Sequence, residues 1–188
     1  MNASMFTIQE LYSYSTAVRR KFARKLTTLP TSIPLKNREA SFHSMKNILV
    51  HMIYVEDWLV NSAILGKGKT SYREPNFDSF DMRGAMSYLD DVESNTKAFL
   101  KDAGEGELRR KISLRFSPRQ KHPYNLTVEE CLLQSITEQL YHIGELIGFM
   151  WQENIRPPNM QWFIYNPRTQ SLSGKRSRPT KTSRVVTK

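Results

Sequence analysis

The sequence predicts an all-α protein, a four-helix bundle, and three observations lead to that fold class. Four separate segments place apolar residues at spacings of three and four, the period of a helix with one buried face. The strand signal is confined to the short alternating stretch 112–116. The chain has 188 residues, 39% hydrophobic and 24% charged, which is typical of one soluble globular domain.

The first predicted helix covers residues 7–29 and the second covers residues 41–65. In the first, apolar residues recur on one side, while basic residues, Arg19 among them, mostly fill the other side. Ser41 is the predicted N-cap of the second helix, and Gly66 directly follows its last residue. Apolar residues wrap most of the circumference of the second helix, which indicates an interior position in the bundle.

The third predicted helix covers residues 81–101 and follows a long connection over residues 66–79. The segment 104–125 is predicted to be non-helical, with a short extended excursion or hairpin around residues 112–116. The fourth helix opens with the capping-box spacing of Thr127 and Glu130 and ends near Asn154, before Pro157 and Pro158. The aromatic segment 160–165 is expected to pack back on the bundle.

The positive charge of the chain is concentrated at its C-terminal end. The formal net charge is +10, from 28 basic and 18 acidic residues. Seven of the basic residues and none of the acidic ones follow Asn166, so residues 1–166 carry a net charge of only +3. We therefore predict a bundle domain over 1–166 and a disordered basic tail over 167–188, which is suited to nonspecific contact with nucleic acid.

Several protein classes are excluded by simple counts. Cys131 is the single cysteine, so neither an intrachain disulfide framework nor a zinc site built from several thiolates is possible. The N-terminus lacks the basic and apolar regions of a signal peptide, and no apolar run is long enough to span a membrane. We expect a cytoplasmic protein without membrane contact.

Three residues form the candidate metal site. Glu138 and His142 are four residues apart and therefore share one face of the fourth helix. His51 lies among apolar neighbours on the second helix, which a facing arrangement would bring against that pair. Two imidazoles and one carboxylate with open positions suit Zn, Ni or Fe(II), and an open position is typical of a catalytic metal.

A structural interpretation stays open beside this one. Each histidine alone fits a hydrogen-bonded core or surface residue, and Glu138 with His142 fits a helical ion pair. Glu145 is interpreted as a solvated rim residue, with a hydrogen bond to a metal ligand as the alternative. The remaining candidates are assigned to the surface or the core: His43, His122 and Tyr141 to the surface, and Cys131 to the core.

The order of several short motifs resembles the DinB/YfiT-like superfamily of metal-binding four-helix bundles. The motifs are Leu11–Tyr14, Ser44–His51 with Glu56 and Trp58, Glu138–Glu145, and Pro157-Pro158. The match covers most of residues 6–166. The resemblance implies one divalent metal ion, held by His51 and by Glu138 and His142. At the position of Glu138 the family commonly has histidine, so in this chain an anionic ligand replaces a neutral one.

The resemblance also implies a function and a partner. Characterised relatives include transferases and isomerases that use low-molecular-weight thiols, so we expect a metal-dependent transferase that joins such a thiol to a small electrophile. Family members often form homodimers by bundle packing. The alternatives are a non-catalytic metal-binding or stress-related bundle and a nucleic-acid-associated protein that binds through its basic tail.

Overall fold

A computed structural model of the chain describes residues 7–39 and 41–165. Within these residues four long helices form the predicted bundle, with short helices and one two-stranded hairpin between and after them. In chain order the elements are α1 (Ile8–Thr27), α2 (Met45–Asp57) with a π-helical continuation (Trp58–Ile64), a 3₁₀ turn (Phe77–Ser79), α3 (Met82–Asp102), α4 (Glu105–Arg109), β1 (Lys111–Leu114), β2 (Tyr124–Thr127), α5 (Val128–Gln152) and α6 (Trp162–Tyr165).

The start of α2 differs from the prediction. Ser44, and not Ser41, is the N-cap, because the backbone of Ser44 is extended and its hydroxyl accepts a hydrogen bond from the amide of Asn47. Ser41 instead lies in a turn with φ of 46° and donates a hydrogen bond to Glu145. The second helix is therefore shorter at its N-terminus than the sequence pattern indicated.

The predicted capping box at the start of α5 is confirmed. The hydroxyl of Thr127 accepts a hydrogen bond from the amide of Glu130, and the carboxylate of Glu130 accepts one from the amide of Thr127. At the other end of α2, Gly66 has φ of 68°, the left-handed conformation that favours glycine after a helix.

The segment between α3 and α5 is partly helical, which the prediction missed. Gly104 precedes the short helix α4, whose Glu105 and Arg109 form an ion pair one turn apart. A helix of five residues is too short to give a recognisable period in the sequence. The extended excursion itself is confirmed: β1 and β2 pair antiparallel, with Lys111 opposite Thr127 and Leu114 opposite Tyr124.

The helices pack so that α5 contacts both α1 and α2, while α3 packs against α2. The aromatic segment near the end of the described chain returns to α1, as predicted. The hydroxyl of Tyr14 donates to the carbonyl of Met160 at 2.5 Å, and its ring lies 4.7 Å from that of Trp162. The domain boundary at residue 166 stays a prediction, because residues 166–188 lie outside the described residues.

A fully buried ion network joins the helices at the centre of the bundle. Arg19 was expected on the polar side of α1, but its side chain has no exposed area. Its guanidinium lies 2.7 Å from Glu56 and 3.2 Å from Glu93, both also buried. Tyr12 and Gln139 donate further hydrogen bonds to Glu56, at 2.6 and 3.0 Å. Burial alone would lower the pKa of Arg19, but the two carboxylates raise it above the usual value.

Candidate metal centre

The structure brings the three predicted metal ligands together. One ligand atom from each of His51, Glu138 and His142 lies within 4.8 Å of the other two. The packing of α2 against α5 brings His51 close to the other two residues. The four-residue spacing on α5 places Nε2 of His142 3.3 Å from Oε2 of Glu138. Both histidines are buried and Glu138 is half-buried. Two imidazoles and a carboxylate at this separation fit the donor set of a divalent transition metal.

Glu145 orients His142. Its Oε2 lies 2.5 Å from Nδ1 of His142 and accepts a second hydrogen bond from the hydroxyl of Ser41. The interpretation of Glu145 as a solvated rim residue was therefore wrong, and the alternative hydrogen bond to a ligand is the one formed. A carboxylate on one imidazole nitrogen fixes the ring so that the other nitrogen, Nε2, faces Glu138.

His51 is oriented by two loop residues that the sequence analysis did not single out. Nδ1 of His51 lies 3.1 Å from the hydroxyl of Tyr72, and that hydroxyl donates to Oε2 of Glu74 at 3.3 Å. A Tyr72 hydroxyl whose proton goes to the carboxylate accepts a hydrogen bond from Nδ1–H of a neutral His51. This tautomer leaves Nε2 of His51 with a free lone pair, as a metal ligand requires.

The electrostatics of the site favour the protonation states that metal binding needs at two of the three ligands, His51 and Glu138. Burial, together with the nearby His142, lowers the pKa of His51 to about 4, so that His51 is neutral at pH 7. The hydrogen bond from His142 lowers the pKa of Glu138, which is therefore ionised. Burial opposes protonation of His142, but Glu138 and Glu145 raise its pKa overall. A bound cation would take the place of that proton.

One side of the centre is covered and another is accessible. The ring of Phe42 stacks on His51 with centroids 3.9 Å apart and also contacts the edge of His142. The amide of Gln134 donates to Oε1 of Glu138 at 2.9 Å. A cavity of about 210 Å³, with His51 and Glu138 in its wall, adjoins the donors, so a further ligand has room to approach.

Comparison with known proteins identifies the family and the fold of the chain. A sequence model of the DinB family matches residues 1–170. The chain belongs to the DinB family. Its structure is similar to the crystal structure of a DinB-like protein from Bacillus cereus ATCC 10987, with a TM-score of 0.60 and 14% identity, covering 81% of this chain and 94% of that one. At this identity the likeness shows a shared DinB-like fold. No curated protein matches the sequence.

The other candidate residues of this DinB family member lie where they were predicted. His43, His122 and Tyr141 are exposed, and Cys131 is buried in the core. Burial raises the pKa of the Cys131 thiol to about 11, so it carries no thiolate near neutral pH. The helices of the described residues also include none that is long and apolar enough to cross a membrane.

Proposed function

We propose that the chain holds one divalent metal ion through His51, Glu138 and His142 and joins a low-molecular-weight thiol to a small electrophile. This proposal rests on one observation: three oriented donor side chains lie close together beside an accessible cavity. A structural metal site is closed by its protein ligands, whereas three ligands with room beside them are typical of a catalytic one.

The metal ion, Zn, Ni or Fe in this donor set, would lower the pKa of a bound thiol and so supply the thiolate nucleophile. The chain itself holds and orients the ligands: Glu145 fixes His142, and Tyr72 with Glu74 fixes His51. Phe42 covers both imidazoles against solvent. The anionic ligand Glu138 reduces the positive charge of the centre, so we expect weaker Lewis acidity than in a three-histidine site.

Metal content and thiol binding test this function directly. We expect protein purified without an affinity tag to contain one divalent ion per chain by elemental analysis. Replacement by Co²⁺ should give a visible spectrum to which 2-mercaptoethanol adds a thiolate-to-metal band. With 1-chloro-2,4-dinitrobenzene, thiolate attack should form the carbon–sulfur bond and release chloride. A bound ion whose spectrum does not respond to thiol would contradict the transferase proposal and favour the non-catalytic alternative.

We also propose that two copies of the chain pack through α5. From residue 131 to residue 152 the exposed positions of this helix carry no charge: Leu133, Thr137, Tyr141, Gly144, Gly148, Trp151 and Gln152. A Cβ atom built at Gly144 or Gly148 would have no atom within 4 Å besides its chain neighbours and the nearby backbone of its own helix. Tyr141 and Trp151 are equally distant from the midpoint of the two glycines. Two antiparallel copies would therefore place Tyr141 of one beside Trp151 of the other, with the glycines facing each other.

Light scattering checks this dimer. The unchanged chain is expected to have the mass of two copies, and Tyr141→Glu is expected to give one copy, because a carboxylate would be buried without a partner. Ser94→Glu, on the exposed face of α3, is the matched control and should stay dimeric. A wild-type chain that is monomeric at high concentration would refute the interface.

A further inference from the structure

The cavity beside the candidate metal centre is built largely from aromatic and aliphatic side chains. Besides His51 and Glu138 it is lined by Val55, Trp58, Tyr72, Phe116 and Gln134. Its volume, about 210 Å³, exceeds the roughly 150 Å³ of an apolar protein cavity known to admit benzene. The cavity therefore has room for one aromatic ring next to the ligand atoms.

Its aromatic wall is held in place by the backbone around it. The ring of Trp58 lies edge-to-face with Tyr72 at 5.2 Å and with Phe116 at 5.3 Å. The indole of Trp58 donates to the carbonyl of Lys69 at 3.0 Å, and the amide of Tyr72 donates to the carbonyl of Arg115 at 2.8 Å. These bonds orient the rings before a ligand arrives, and preorganised rings bind another ring at low entropic cost.

The charge of the cavity differs from that of the chain. Although the whole chain has a net charge of +10, no lysine or arginine is among the described residues that line this space. In the proposed function the charge of the divalent ion is balanced by Glu138 and by the bound thiolate, so an anionic ring would find no counter-charge in this lining. A cationic ring would find no unpaired carboxylate there, since Glu138 holds the ion, and burying an unpaired charge is costly. The lining is therefore suited to a neutral group.

A second, more open groove continues the cavity outward. It has a volume of about 400 Å³ and is lined by Phe116, Tyr124, Leu126 and Gln134. Phe116 and Gln134 border both spaces, so the groove adjoins the cavity. The ring centroids of Tyr124 and Phe116 are 5.9 Å apart, so Tyr124 extends the aromatic surface of the cavity toward solvent. The groove therefore gives a ring in the cavity neighbouring space for a substituent.

We propose that this cavity binds a neutral aromatic ring of the electrophilic substrate, with Trp58 and Phe116 as the residues that determine specificity. The inference rests on the proposed function, since it places the ring of the second substrate beside the centre that activates the thiol. It commits that substrate to an uncharged ring compound and excludes a phosphate- or carboxylate-bearing one from the cavity.

Three single-ring probes test the proposal on the Zn²⁺-loaded full chain with saturating 2-mercaptoethanol, whose bound thiolate neutralises the centre. They are benzyl alcohol, benzenesulfonate and benzyltrimethylammonium, which differ in charge, and their binding is measured by ligand-observed NMR. We expect benzyl alcohol to bind at least about tenfold more tightly than either ion, because the ions bring an unpaired charge into the cavity. Phe116→Ala removes one wall and Val55→Phe fills the space, and each should reduce benzyl alcohol binding about tenfold.

The control variant is Phe163→Ala, which removes an exposed aromatic ring outside the cavity and should leave benzyl alcohol binding unchanged. Binding that is unaffected by both Phe116→Ala and Val55→Phe, or that favours one of the ions, would overturn the proposal. Elemental analysis of the unchanged chain and of every variant distinguishes a failure of the cavity assignment from a failure of the proposed metal centre. In the unchanged chain, Zn²⁺ retained without ring binding refutes the cavity assignment alone, and ring binding without Zn²⁺ refutes the metal centre alone.

Discussion

Replacing Glu56 by alanine is expected to lower the free energy of unfolding by about 3–5 kcal/mol, the cost of breaking a buried ion pair on one side. Glu56 has no exposed area and accepts from Tyr12 and Gln139 while pairing with Arg19. Its removal leaves three buried donors without this acceptor, and Arg19 keeps only Glu93 among its carboxylate partners in the described part of the chain. Urea unfolding followed by circular dichroism measures the change.

The matched control is Glu105→Ala, which breaks the exposed ion pair with Arg109 on α4. Solvent already screens that pair, so the free energy of unfolding should change little. A Glu56→Ala variant as stable as Glu105→Ala would show that the buried network does not stabilise the fold. The double variant Arg19→Met, Glu56→Leu should recover part of the loss, because replacing a buried pair by apolar side chains is often neutral.

The second large effect concerns the metal. We expect His51→Ala and His142→Ala each to weaken binding of the divalent ion by more than about 100-fold, beyond the 10–100-fold typical of losing a residue that only orients a ligand. The double variant should retain no metal. The Glu138→Ala variant should also lose most of its metal, because it lacks the anionic donor, whose Oε2 lies 3.3 Å from Nε2 of His142. Elemental analysis and competition with a chelator measure these changes.

The chain provides its own controls for this experiment. His43 and His122 are the other two of its four histidines, and both are exposed away from the cluster. Their alanine variants should keep the full metal content, which excludes adventitious binding to surface imidazoles. Stoichiometric metal in the His51→Ala, His142→Ala double variant would refute the assignment of the site.

The three candidate ligands could be predicted because each stands on a helix with a clear period. His51 lies on the inward row of α2, and the spacing of Glu138 and His142 places them together on α5. Tyr72 and Glu74 belong to the connection between α2 and α3, where no periodicity tells which side chains point inward. Their contact with His51 depends on how that loop folds over the bundle, which is a tertiary effect.

The buried ion network shows a different limit of prediction from the sequence. Arg19 sits beside other basic residues on α1, and a charged side chain in such a run is usually solvated. Glu56, however, gave a usable signal: it is a carboxylate in a helix that is apolar almost all round, and such a group requires a buried partner. That signal does not identify the partner, because Arg19 and Glu93 each lie 37 residues from Glu56 in the sequence, on either side of it.

This network also bears on how the chain folds. Arg19, Glu56, Glu93 and Gln139 come from α1, α2, α3 and α5, so the network is complete only when all four long helices have docked. A partly assembled bundle with one helix missing would bury a charge or an amide without its partner, and such states are costly. The polar centre therefore favours an all-or-none transition and disfavours stable intermediates of two or three helices.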